Sequence, residues 1–127
     1  LAEIFKIFKI SYTPQAVTEG NKTPDFIFPD SDSYNNPAFS SERLIMLAAK
    51  RTCKDRWRQV INEADRIKTK HLFTLQQGIS KNQLEEMYKH NVCLVVPKPY
   101  LSHFPEEFRG RILTLNDFNR HVLKLQA

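Results

Sequence analysis

The sequence predicts an α/β fold, a mixed β-sheet flanked by helices in one domain, on three observations. Apolar runs of strand length at 25–29, 44–50, 70–75 and 92–97 alternate with segments whose apolar residues recur at helical spacing. The run 44–50, Leu-Ile-Met-Leu-Ala-Ala-Lys, is apolar almost throughout, the pattern of a central strand buried on both faces. A chain of 127 residues is long enough for one core, so residues 1–127 are read as one domain.

Residues 1–9 mix apolar and charged positions as the end of an amphipathic helix does, and 10–15 reads as a short strand. The segment 18–24, Thr-Glu-Gly-Asn-Lys-Thr-Pro, is a turn-rich loop that delivers the chain to the strand 25–29, which Pro29 stops. The polar stretch 30–41 is expected to hold one helical turn within a loop. After the central strand, Thr52 with Asp55 gives a capping-box spacing, and Trp57, Val60, Ile61, Ala64 and Ile67 continue a helical stripe. On that helix Arg56 and Glu63 would fall about 20° apart, on one flank of the stripe. A strand at 70–75, a helix at 81–90 capped by Ser80, and a strand at 92–97 follow. Closing helices are expected at 104–111 and 115–125, the second capped by Asn116.

Composition narrows the function classes. No apolar run approaches the roughly 20 residues that span a bilayer, no secretory leader pattern is present, and mean hydropathy is -0.48. These features predict a cytoplasmic protein with no membrane partner. Cys53 and Cys93 lack the spacing of a zinc site and read as reduced, mostly buried thiols, and the four histidines read as scattered surface or satellite residues. The chain opens on Leu1 with an apolar stretch and is expected to be part of a longer polypeptide. A net charge of +5 and a pI near 9.3 favour an anionic partner. Eight of the 19 basic residues fall between positions 50 and 70.

Asp25, Lys50 and Glu63 carry the chemistry. A divalent cation takes hard oxygen ligands, which Asp25 and Glu63 supply, and water attacking a phosphodiester is helped by a cation beside it, which Lys50 at the end of an apolar strand supplies. Each has a plain alternative. Asp25 can cap a turn after Pro24, Lys50 can extend from a strand end to solvent, and Glu63 can pair with Arg56 or Arg66. Tyr34 is a further catalytic candidate, a hydroxyl able to bond the scissile phosphate, or else an ordinary loop tyrosine. Trp57 is most simply a core anchor, and Arg58 and Arg66 read as solvated or phosphate-facing.

Segments 18–29, 47–59 (Leu-Ala-Ala-Lys-Arg-Thr-Cys-Lys-Asp-Arg-Trp-Arg-Gln) and 70–80 (Lys-His-Leu-Phe-Thr-Leu-Gln-Gln-Gly-Ile-Ser) resemble the catalytic C-terminal domain of EcoRII-type Type II restriction endonucleases. The resemblance covers nearly the whole chain. It implies the PD-(D/E)xK nuclease fold, a restriction-endonuclease-like mixed sheet with flanking helices, and Mg2+-dependent hydrolysis of double-stranded DNA to 5′-phosphate ends at a CCWGG-like site. The usual acid two residues before the lysine is Ala48 here. The same branch takes its acid from the following helix, and Glu63 matches it, thirteen positions after Lys50. Lys54, Asp55 and Arg56 stand where the branch carries its R-(D/E)-R-like base-reading element, suited to guanine and cytosine edges in the major groove. Asp55 also fits a capping role. The resemblance further implies a homodimer and an upstream DNA-binding domain with a regulatory role in the same polypeptide. A non-catalytic, sequence-specific DNA-binding fragment of such an enzyme is the alternative.

Overall fold

A computed structural model describes residues 1–15, 24–52 and 56–126. Six strands form one sheet in chain order: β1 (Thr13–Pro14), β2 (Phe26–Phe28), β3 (Ile45–Lys50), β4 (Lys70–Thr74), β5 (Val92–Val96) and β6 (Leu113–Thr114). The pairings β1–β2 and β2–β3 are antiparallel, and β3 to β6 run parallel. The sheet is therefore mixed, with the apolar run 45–50 at its centre.

Strand periodicity divides the core. In β3, Met46 and Ala48 face one layer, and Ile45 and Leu47 face the other. The first layer holds Trp57 and Val60 of α3 (Trp57–Val60), Leu84 and Met87 of α4 (Lys81–Lys89), and Phe108 of α5 (Glu106–Arg109). The second holds Phe5 of α1 (Ala2–Ile7) and Phe118 and Val122 of α6 (Leu115–Gln126). Phe5 meets Phe26 and Phe28 edge-on at 5.1 and 5.2 Å, a geometry that contributes about 0.5–1.5 kcal/mol per pair beyond burial.

Helix α4 follows the expectation closely. Ser80 Oγ accepts from the Gln83 N–H at 3.2 Å, Leu84 and Met87 are buried one turn apart, and Asn91 leaves the helix at φ 62°. The loop 30–41 also holds its helical turn, α2 (Ser31–Asn35), with Asp30 accepting from Ser33 N–H.

Other elements differ. The strand expected over 10–15 is only Thr13–Pro14, and the helix expected over 104–111 shrinks to α5 behind a 3-10 stretch. A short strand, β6, precedes α6. Thr114 caps α6, not Asn116: its hydroxyl accepts from Asp117 N–H, and the Asp117 carboxylate accepts from Thr114 N–H, both at 3.2 Å. That backbone bond holds the Asp117 carboxyl below the usual carboxylate range.

The largest departure is the helix expected through Ile67. Trp57, Val60, Ala64 and Ile67 are buried as the stripe requires, but α3 ends at Val60 and Ala64 turns the chain at φ 51°. Asn62 and Asp65 are poor interior helix residues and favour turns, so the apolar positions reach the core without a continuous helix. His71 also departs from the surface or satellite place expected of the histidines. It is 7% exposed against Phe118, its Nδ1 has no hydrogen-bond partner among the described residues, and burial, aided by His121, lowers its pKa to about 4 against a weaker backbone bond at Met46.

Candidate active site

Asp25 and Lys50 converge on the end of β3. Extending the Phe26↔Leu47 register by one step sets Asp25 opposite Ala48, and its backbone carbonyl accepts from Gln15 N–H at 2.9 Å. The Asp25 carboxylate accepts from Ala49 N–H through Oδ2 at 2.7 Å, one residue before Lys50. A carboxylate has about four lone-pair positions, so this bond orients the group and leaves acceptor capacity. Thr74, paired in register with Lys50, donates its hydroxyl to the Arg51 carbonyl at 3.2 Å and fixes the backbone just past the lysine. Lys50, Arg51, Ala49, Phe73, Leu75 and Leu1 line a shallow depression of about 250 Å³ there.

Glu63 is placed differently. With α3 ending early, the angular relation to Arg56 expected from one helix does not hold, and Glu63 sits in the turn after it. Its carbonyl accepts from Lys70 Nζ at 2.6 Å, as do those of Ala64 and Ile67 at 2.8 and 2.5 Å. Lys70 opens β4, four residues before Thr74, so its backbone lies about 13 Å along the strand from the end that Lys50 occupies. The structure thus unites Asp25 with the Lys50 strand end and anchors the Glu63 backbone toward the other end of the sheet.

Tyr34 is 2% exposed, and its hydroxyl accepts from Arg66 N–H at 3.2 Å. Arg66, expected to face phosphate or solvent, instead donates its guanidinium to the carbonyls of Tyr34, Asn36 and Phe39 and to Ser41 Oγ, stitching loop 33–41 to the turn before β4. Arg56 and Arg58 are exposed, and the Arg58 guanidinium lies 4.4 Å from the Trp57 ring centre. Lys54 and Asp55, expected to read bases, lie outside the described residues, as does Cys53.

The donor chemistry at Asp25 fits magnesium. That ion keeps several waters and is held by one or two carboxylates together with substrate phosphates. Among the described residues, no group of three or more His, Cys, Asp or Glu side chains is placed to hold a metal, and Asp25 offers one carboxylate at this strand end.

Comparison with known proteins decides the family. A family model described as EcoRII C terminal matches residues 1–119. The chain belongs to the EcoRII C-terminal family. It is 49% identical over 116 residues to the Type II restriction enzyme EcoRII of Escherichia coli, covering 91% of this chain and 29% of that protein. With the Type II restriction enzyme SsoII of Shigella sonnei it shares 26% identity over 106 residues, 82% of this chain and 33% of the relative. The chain therefore spans a third or less of these relatives. Among solved structures it resembles metal-depleted Ecl18kI in complex with uncleaved DNA, at TM-score 0.75 and 24% identity, over 91% of this chain and 39% of that one. A second Ecl18kI structure, with uncleaved, modified DNA, gives TM-score 0.73 at 23% identity and the same coverage. These likenesses establish the restriction-endonuclease-like mixed sheet.

In this EcoRII-family domain, sequence reasoning passed over Lys70 and Thr74 and misplaced Arg66, which bonds loop carbonyls. For Lys70 and Thr74 a signal existed. Positions 70, 72 and 74 share one strand face, and Leu72 marks that face as core, so both polar residues had to be buried with partners. Arg66 carried no comparable signal.

Proposed function

We propose that this chain is the catalytic part of a Type II restriction endonuclease. It would hydrolyse phosphodiester bonds of double-stranded DNA with magnesium, leaving 5′-phosphate ends at a CCWGG-like site. The observation that carries this reading is the Asp25 carboxylate bonded to Ala49 N–H one residue from Lys50, in a chain 49% identical to EcoRII. Asp25 and Glu63 would hold the ion, with Glu63 reaching back from its turn. Magnesium, when bound, supplies a Lewis acid beside the phosphate. Lys50 orients the attacking water and stabilises charge developing on the phosphate oxygens. Tyr34, expected to touch the phosphate, is assigned a supporting role, since its hydroxyl holds the Arg66 backbone.

Lys54, Asp55 and Arg56 would read guanine and cytosine edges in the major groove, each good pair contributing about 1–3 kcal/mol of discrimination. The exposed Arg51 and Arg58 would contact phosphates and make binding salt-sensitive. Cutting both strands calls for two copies of the site, hence a homodimer, and the chain's small share of its relatives' length leaves room for an upstream regulatory DNA-binding domain. A cytoplasmic location accords with this reading, and no described helix is long and apolar enough to cross a membrane.

Asp25→Ala in the intact protein should abolish plasmid cleavage in magnesium while duplex binding persists. Undiminished cleavage by that variant would contradict the assignment. The anchored backbone of Glu63 favours one second reading, a DNA-binding module that has lost catalysis. It predicts magnesium-independent gel shifts with no nicked or linear plasmid.

A further inference from the structure

Lys70 is a lysine 5% exposed inside the core, and three carbonyls surround its ammonium: those of Glu63, Ala64 and Ile67, at 2.6, 2.8 and 2.5 Å. An ammonium has three N–H donors and no acceptor. Three converging carbonyls at these distances match that capacity, and they come from one turn. The turn needs such a partner. With α3 ending at Val60 and Ala64 in the left-handed region, the carbonyls of Glu63, Ala64 and Ile67 turn inward on Lys70 outside any continuing helix, and that of Ala64 also accepts from Ile67 N–H at 2.9 Å. Buried carbonyls of this kind are costly unless bonded, and a cation satisfies several at once.

We infer that Lys70 is a positioning residue for the active site: by holding the Glu63 carbonyl it sets where the Glu63 carboxylate can reach relative to Asp25 and Lys50. The inference rests on the reading of Glu63 as a metal ligand. Lys70 touches neither substrate nor ion. It acts through the backbone, as partners outside the coordination sphere act on the ligands they orient, where their loss typically weakens metal binding about 10–100-fold. Arginine is a poor substitute, because its donors lie in one plane and cannot converge on three carbonyls arranged around a point.

The test is Mn2+ binding to the intact protein on a duplex whose scissile linkage resists hydrolysis, followed by the EPR signal of the free ion. The variants are Lys70→Met, Lys70→Arg, Glu63→Gln and the double Lys70→Met/Glu63→Gln. Lys70→Met and Glu63→Gln should each weaken Mn2+ binding by roughly tenfold or more, and the double variant should bind no worse than the weaker single. Weakening by Glu63→Gln with wild-type binding by Lys70→Met would overturn the role of Lys70, as would a double variant whose loss is the product of the singles. Wild-type binding by Glu63→Gln would instead overturn the reading of Glu63. Should Lys70→Met fail to fold by circular dichroism, Lys70→Arg decides: weakened Mn2+ binding supports the inference, and wild-type binding refutes it.

Discussion

Replacing His71 with phenylalanine should remove a large part of the protein's sensitivity to mild acid. The imidazole is 7% exposed, its ring lies 5.3 Å from Phe118 and 6.2 Å from His121, and its pKa is lowered from 6.5 to about 4, first by burial and then by the charge of His121. The folded state therefore resists the proton that the unfolded chain accepts below pH 6.5. Stability is full above that pH, falls between 6.5 and about 4, and levels off for this group below, where both states are protonated. At about 1.4 kcal/mol per pH unit, the whole window amounts to about 3 kcal/mol, and the part between pH 7 and pH 4.5 to somewhat over 2. Phenylalanine fits the aromatic surroundings and has no proton to take. Urea unfolding of wild type and His71→Phe at pH 7 and 4.5 checks this, because carboxylates titrating in the same range act equally on both proteins. The wild type should lose about 2–3 kcal/mol more than the variant between the two pH values. Parallel losses would refute the assignment of that acid sensitivity to His71.

Two further perturbations test the polar framework. Arg66→Met strands the carbonyls of Tyr34, Asn36 and Phe39 and should cost about 3 kcal/mol in urea unfolding, with faster amide exchange across 33–41; a change below about 0.5 kcal/mol would show that these bonds stabilise nothing. Thr114→Ala removes the acceptor for Asp117 N–H and should lower stability by about 1 kcal/mol, whereas Asn116→Ala, at the cap position expected from sequence, should change it by much less.

The sheet was legible because its signals are local and repeated. The runs 44–50, 70–75 and 92–97 contain β3, β4 and β5, and Ser80 caps α4 as expected. Short elements were less so. Strands of two residues such as β1 and β6 carry no period, and they exist because β2 and β5 offer them ladder partners. The stripe Trp57, Val60, Ala64, Ile67 shows a subtler failure. Burial selects those positions, and a helix is one way to bury them. Here a four-residue helix and a turn held by Lys70 achieve the same burial, which periodicity could not distinguish.

The placement of Asp25 beside the Lys50 strand end was legible in the sequence and the surroundings of Glu63 were not, and strand direction explains the difference. Both Lys50 and Lys70 interrupt apolar strands and pair into the same parallel ladder, one at the end of β3 and one at the start of β4. In a parallel α/β sheet the carboxyl ends of strands open toward loops that begin helices, where backbone N–H groups face outward and anionic ligands gather. The chain enters β4 from the turn that follows α3, where carbonyls no longer belong to a helical ladder. A lysine at a strand's carboxyl end therefore has no backbone acceptors built to receive it and is available to substrate. One at the amino end meets a ring of carbonyls, as Lys70 does at 2.5–2.8 Å. Residue type and apolar pattern alone treat the two lysines alike; adding the direction of the strand separates one at the loop-bearing end of the sheet from one that bonds the carbonyls of the turn bearing Glu63.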